Sequence, residues 1–237
     1  VVAIVCGLTS SLVILYIREK RHYEKPNLRE SFASDFSDML KHAGKTPDFV
    51  KYCYVEGVFQ FFMSISWPLI PRTQIEVLNA SMMHIALITV VQSIVTIVFQ
   101  DWAGRLSDSA GRKPLLAFFR FSLITVPIAY AFVPDINTLI VVGAFWGISM
   151  ALGHASMTAY LLDVAPREHR GSFAAIFNLV VGVTSFFGSL IGGYLSEYTI
   201  SLFGLITGLL IVYMISMVGR GIGAALYLTL RETLQRS

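Results

Sequence analysis

Long runs of apolar side chains alternate along this chain with short polar turns. A helix rises 1.5 Å per residue, so about 20 apolar residues cross the hydrocarbon core of a bilayer. Six stretches have that length: 52–70, 81–99, 114–133, 136–162, 172–195 and 201–230. A seventh, 1–17, is partial, and Arg18, Lys20 and Arg21 follow it instead of preceding it. It reads as the end of a truncated helix, not as a signal peptide. The pattern predicts an all-α, polytopic membrane helix bundle with six transmembrane helices and one partial helix.

Within the spans the polar residues fall on helical faces. Glu56, Gln60, Ser64 and Trp67 stand at i, i+4, i+8 and i+11, so they share one side of the first full span. His84, Gln92, Thr96 and Gln100 repeat the arrangement on the next. Polar groups facing lipid would be left unsatisfied at a cost of several kcal/mol, roughly 2 to 7 each. Both stripes are therefore expected to face the bundle interior, either to bond neighbouring helices or to line a solute path through Gln60, Ser64, Trp67, Gln92 and, on a later span, Asn178. An acid inside a span is a proton-relay candidate, which singles out Glu56. Gly143, Gly147, Ala151, Ala155 and Ala159 form a stripe that lets backbones approach. Ser185, Ser189, Gly182, Gly188, Gly192 and Gly193 do the same on the span after Pro166. His154 reads as a hydrogen-bonded packing residue. The Trp67-Pro68 pair and Pro71 remove backbone donors and predict a bend.

Composition removes the soluble alternatives. Apolar residues make up 55% of the chain, charged residues 14%, and the mean hydropathy is +0.66. The net charge of +3 is too small, and too confined to span ends, to support nucleic-acid binding; lipid headgroups are the expected contact. Cys6 and Cys53 have no partner spacing and read as packing residues. Lys and Arg number eight in segment 18–51, three in the turn 104–114, two around Pro166 and two after residue 230, while the alternate loops hold Arg72 alone. That asymmetry places the linker, the 104–114 turn and the C-terminus in the cytoplasm. Arg120 and Arg220, inside spans, are expected to snorkel to an interface. In the linker, Leu28, Phe32, Phe36 and Leu40 recur every four residues, which predicts an amphipathic helix on the membrane face.

The short turn 104–114 carries Gly104, Leu106, Asp108, Gly111, Arg112 and Lys113 in the spacing G-x-L-x-D-x-x-G-R-K. It resembles the loop signature of the major facilitator superfamily of secondary transporters. The segment from Asp163 through Pro166, Arg167 and Arg170 is similar to the acidic, Pro and Arg-Gly turn after the fourth helix of a half in that family. The resemblance implies two six-helix halves, each of two inverted three-helix repeats, of which this chain matches the second. It implies the end of helix six at 1–17, a central cytoplasmic linker at 18–51, the C-terminal half at 52–230 and a cytoplasmic tail at 231–237. The partner is then a six-helix N-terminal half beyond this sequence. It implies a gate in which Asp163 faces Arg112, with Arg167 and Arg170 as further gate partners and Asp108 on a helix N-terminus of the opposite half.

The function these readings imply is transport of a small organic solute by alternating access, proton-coupled, with a lean towards efflux as an antiporter in the plasma membrane. Uptake of a sugar or metabolite by the same fold is an alternative, as is a non-transporting receptor or scaffold. A membrane enzyme would show His, Asp or Glu at metal or nucleophile spacing such as H-E-x-x-H, and none occurs. No cofactor or metal motif is present, so none is expected.

Overall fold

A computed structural model of the protein describes residues 39–41 and 43–233. The partial helix 1–17 and, apart from Met39 and Leu40, the amphipathic segment 28–40 lie outside the described residues. So does 234–237 of the tail. The rest is almost wholly helical, with no strand among the described residues. The helices are α1 (Pro47–Ile65), α2 (Leu69–Arg72), α3 (Met82–Ala110), α4 (Arg112–Ser122), α5 (Thr125–Phe132), α6 (Ile136–Val164), α7 (Arg170–Phe203) and α8 (Leu205–Tyr227).

Five stretches among the described residues are long and apolar enough to cross a membrane: Met82–Ala110, Arg112–Phe132, Ile136–Val164, Arg167–Phe203 and Leu205–Tyr227. The sixth expected span differs. It starts at Pro47 instead of residue 52, carries Asp48, Lys51 and Glu56, and breaks at Ser66 to Pro68 before α2 and a π-helical turn, Thr73–Val77. Pro68 and Pro71 lack the N–H groups that would continue α1, which accounts for the break.

Three boundaries depart from the apolar pattern for local reasons. Helix α3 runs straight through Gly104 to Ala110, so most of the expected turn is helical; the reversal falls on Gly111 alone, at φ 106°. Helix α7 continues through the polar run Ser196 to Ser201 to Phe203. There Ser196 Oγ bonds Gly193 O at 2.8 Å, Thr199 Oγ1 bonds Leu195 O at 2.9 Å and Ser201 Oγ bonds Tyr198 O at 2.8 Å. Hydroxyls satisfied within their own helix do not end it. The expected span 114–133 is split into α4 and α5 at Leu123 and Ile124, because Pro127 cannot donate to Leu123 O four residues back. Other ends are ordinary: Ser81 and His84 form a reciprocal cap on α3, and Asp135 accepts from Thr138 N at 3.0 Å on α6. These bonds hold the exposed Asp135 carboxyl below its usual range.

Helix α1 packs on α7 and α8, α3 on α6, α4 on α6 and α8, and α5 on α8. Exchanging α1 with α6, α3 with α7, and the α4/α5 pair with α8 turns α1·α7 into α3·α6 and α4·α6 into α1·α8, while α7·α8, which also pack, have only a weak counterpart in α3·α4. That is the relation between two like three-helix units. Glycines set the closest approaches. On α6, a Cβ at Gly147 would lie 2.7 Å from Gln92 O of α3; on α7, a Cβ at Gly188 or Gly192 would fall on the Phe61 or Ile65 carbonyl of α1. Gly182 and Gly193 face open space, so only part of the expected α7 stripe is a packing face. His154 is exposed on α6 instead of packed. Cys53 lies in the core beside Tyr52, Phe173 and Tyr227.

Candidate functional site

Three polar groupings mark the bundle. The first is buried. Glu56 of α1 and Arg120 of α4, 1% and 2% exposed, pair at 2.5 Å, and Tyr227 of α8 donates its hydroxyl to the same Glu56 oxygen. The guanidinium also lies 4.6, 4.9 and 5.2 Å from the ring centres of Phe59, Phe119 and Tyr227. Arg120 therefore does not snorkel: an acid and three rings inside the bundle hold it better than an interface would.

Arg220 does not snorkel either, and it has a different set of partners. At 1% exposure it donates to Leu123 O at 2.7 Å, to Met63 O at 3.0 Å and to Ser66 Oγ at 2.5 Å. These acceptors sit at the two helix breaks, α4/α5 and the end of α1, each followed by a proline. One side chain thus bonds the Leu123 carbonyl that Pro127 leaves without its i+4 donor, and two oxygens, Met63 O and Ser66 Oγ, at the end of α1. The prolines were visible in the sequence; that an arginine 97 residues after Leu123 and 157 after Met63 supplies the donor was not.

Arg220 lines the second grouping, a cleft of about 390 Å³. Trp67, Gln74, Gln92, Tyr130 and Trp146 line it too, from the break after α1, the π-helical turn, α3, α5 and α6. Gln74 Nε2 donates to Tyr130 Oη at 2.8 Å, and Trp146 Nε1 to Thr125 Oγ1 at 3.1 Å, so two walls are held in place by their own bonds. Of the residues expected along a solute path, the structure puts Trp67 and Gln92 on this cleft. Gln60 instead donates to Ser185 Oγ of α7 at 2.8 Å, and Ser64 O accepts from Ser189 Oγ at 3.3 Å; both join α1 to α7. Asn178 is exposed on α7, and His84 is a cap.

The third grouping closes one end of the bundle. Arg112 reaches Asp108 at 2.7 Å, Ser107 O at 2.8 Å and Asp163 at 3.2 Å, which ties together the ends of α3, α4 and α6. Glu232, after α8, accepts from Arg112 N at 3.0 Å and Lys113 N at 3.1 Å, placing a carboxylate on the first turn of α4. Gly111 leaves room for it, since a Cβ there would lie 2.6 Å from Glu232 Oε2. Thr233 Oγ1 bonds Asp163 at 2.9 Å and Lys51 Nζ bonds Thr229 O at 2.5 Å. Leu106 packs into a small cluster with Ala103, Leu115 and Leu152, while Gly104 has open space beside it. Arg167 and Arg170 are exposed and make no ion pair among the described residues. At the other end Arg72 pairs with Glu76 at 3.1 Å and Glu197 at 2.5 Å.

A bundle with a cleft at its middle and charge pairs at both ends has the parts of a carrier half, and residues 53–233 match the family model of the Major Facilitator Superfamily. The chain belongs to that superfamily. It is similar to an uncharacterised MFS-type transporter of Methanocaldococcus jannaschii, 34% identical over 46% of this chain and 29% of the relative. The tetracycline resistance protein, class H, of Pasteurella multocida is 28% identical over 50% of this chain and 30% of that protein. The D-xylose transporter of Levilactobacillus brevis is 29% identical over 44% and 21%. The matches therefore span less than a third of each relative's length. No solved structure matches.

Within this membrane transporter superfamily, the signature turn 104–114 is the α3–α4 junction, and the 163–171 turn joins α6 to α7. Among the described residues no cluster of His, Cys, Asp and Glu could hold a metal ion.

Proposed function

We propose that the chain is the C-terminal half of a secondary carrier of the plasma membrane, which moves a small organic solute by alternating access. In this reading 1–17 ends helix six of the N-terminal half, 18–51 is the cytoplasmic linker, 52–230 the six-helix half and 231–237 the cytoplasmic tail. The observation that carries the proposal is the cleft between α1, α3, α5 and α6, lined by amides and aromatic rings and flanked at the bundle ends by the Arg112 and Arg72 ion pairs. A solute held there, with one end opening as the other closes, needs no chemical step. The role is a non-enzymatic one.

The signature residues Gly104, Leu106, Asp108, Gly111, Arg112 and Lys113 then form the inner gate with Asp163. Arg167 and Arg170 meet headgroups or the other half. Gln60 and Ser64 serve by holding α7 to α1, and Asn178 faces the N-terminal half.

Proton coupling is assigned to Glu56. Protonating it in the closed bundle strands the Arg120 guanidinium, a loss of about 3 to 5 kcal/mol.

The apolar and aromatic cleft walls and the tetracycline resistance relative support efflux of an amphipathic solute. The D-xylose transporter relative supports a second reading, sugar uptake, with Gln74 and Gln92 bonding hydroxyls. Proteoliposomes holding the full-length protein decide the matter, given a panel of amphipathic solutes and D-xylose with and without a pH gradient. Accumulation of one solute that follows the gradient supports the carrier; equal permeation in protein-free vesicles for every solute overturns it.

A further inference from the structure

Two arginines sit inside this bundle, and the structure gives a carboxylate to only one. Arg120 has Glu56 at 2.5 Å. Arg220, equally buried, has three neutral oxygens, and among the described residues no acid pairs with it. A guanidinium carries five N–H groups. The three bonds leave one on Nη1 and the one on Nε, and Nε is buried with no partner. Arg220 also lines the cleft, whose walls carry no acidic side chain, and Gln92 there makes no side-chain bond among the described residues. A cation withdrawn from water and not met by an anion is costly, and carbonyl dipoles offset only part of that cost.

We propose that the cleft takes a solute with an anionic group, a carboxylate or its equivalent, on an apolar body of one or two rings. The charge lies against Arg220 and the body between Trp67, Tyr130 and Trp146. This rests on the carrier reading above and names the class of its solute. A cationic solute finds no acid in the cleft and meets a fixed positive charge. A neutral solute leaves that charge uncompensated. An anion supplies the missing half of the pair in a site closed enough for a charge-assisted bond to outweigh the loss of its own hydration. The volume of about 390 Å³ suits a body of that size.

The test uses full-length protein in detergent and a matched pair of probes, 4-biphenylacetate and its uncharged primary amide, followed by quenching of tryptophan fluorescence, since Trp67 and Trp146 stand in the cleft wall. The acid is expected to bind roughly tenfold tighter than the amide or better, the worth of one hydrogen bond to a charged group. In Arg220→Gln that preference disappears, and in Arg220→Lys, which keeps the charge, it persists. Equal binding of acid and amide by the wild-type protein overturns the proposal without needing a variant, and so does a preference that survives Arg220→Gln. Silence to both probes and to the transport panel removes the carrier reading itself, a different failure from binding without charge preference.

Discussion

Exchanging Glu56 for Gln removes a negative charge from a place where water cannot replace it. Glu56 is 1% exposed and Arg120 2%, with the shortest N···O separation 2.5 Å. The charge centres are then about 4 Å apart, and at an effective dielectric of about 20 their attraction is about 4 kcal/mol. Gln keeps one oxygen that can accept from Arg120 or Tyr227, so the loss is chiefly electrostatic, about 3 kcal/mol. Tyr227→Phe removes one hydrogen bond to a charged group and costs less, about 1.5 kcal/mol. The double change Glu56→Leu with Arg120→Met removes both charges together and costs less than either single change, about 1 to 2 kcal/mol, chiefly for the Tyr227 hydroxyl left without its acceptor. Denaturation of the purified protein in detergent, followed by tryptophan fluorescence, measures each variant. With each single change costing about 3 to 5 kcal/mol and the double about 1 to 2, the cycle built from Glu56→Leu, Arg120→Met and the pair should return a coupling of about 4 to 9 kcal/mol. A cycle that closes within about 0.5 kcal/mol would show that the pair is not a stabilising unit and refute the argument.

Neighbouring glycines of α7 form a second test: Gly192→Ala, whose methyl would fall on the Ile65 carbonyl, should cost about 3 kcal/mol or more, whereas Gly193→Ala, facing open space, should be silent or slightly stabilising in the same assay. At the α3–α4 junction the Asp108 side chain is 73% exposed and Asp163 31%. Asp108→Asn is therefore expected to cost at most about 1 kcal/mol and Asp163→Asn about 1 to 2, and equal effects would count against Asp163 as the stronger partner of Arg112. With Cys6 and Cys53 replaced, Asn137→Cys should react with an impermeant maleimide from outside intact cells and Glu168→Cys should not; labelling at 168 would reverse the orientation drawn from the loop charges.

Much of the fold could be read from hydrophobic length and charge, because a bilayer admits few solutions: apolar runs of about 20 residues become helices. Ends were less legible where side chains act within their own helix. Ser196 and Thr199 fall in the expected loop 196–200 and Ser201 at the expected start of the next span, yet their hydroxyls bond carbonyls of the same helix, and α7 runs on to Phe203. Asp108 and Ser109 likewise look like a turn but extend α3 past the apolar stretch. The burial of Arg120 and Arg220 was illegible for another reason. A lone cation in a span is compatible with an interface or with a partner, and the partners, Glu56 for Arg120 and Leu123 O, Met63 O and Ser66 Oγ for Arg220, come from other parts of the chain. The polar stripe of α1 was correctly placed on one inward side, but the break after Ile65 turns its last member, Trp67, to the cleft, while Gln60 and Ser64 meet α7. Glu232 gave no signal at all, since a carboxylate that caps another helix from beyond α8 depends wholly on tertiary placement.

Helix α7 has a length that the other spans do not share. Its 34 residues make it about 50 Å long, against a hydrocarbon thickness of about 30 Å. Tilting cannot absorb the difference: even at about 40° it would cover close to 40 Å of depth. Roughly two turns must therefore stand clear of the hydrocarbon, and Glu197, the partner of Arg72, lies near the end that bears Tyr198 and Ser201. A rod anchored in the bilayer and projecting from it works as a lever, so the thickness of the surrounding membrane sets where its tip stands. A thicker membrane would then bring the Arg72–Glu197 contact nearer the headgroups and a thinner one would leave it further out, so this ion pair is the part of α7 most exposed to a change of lipid chain length.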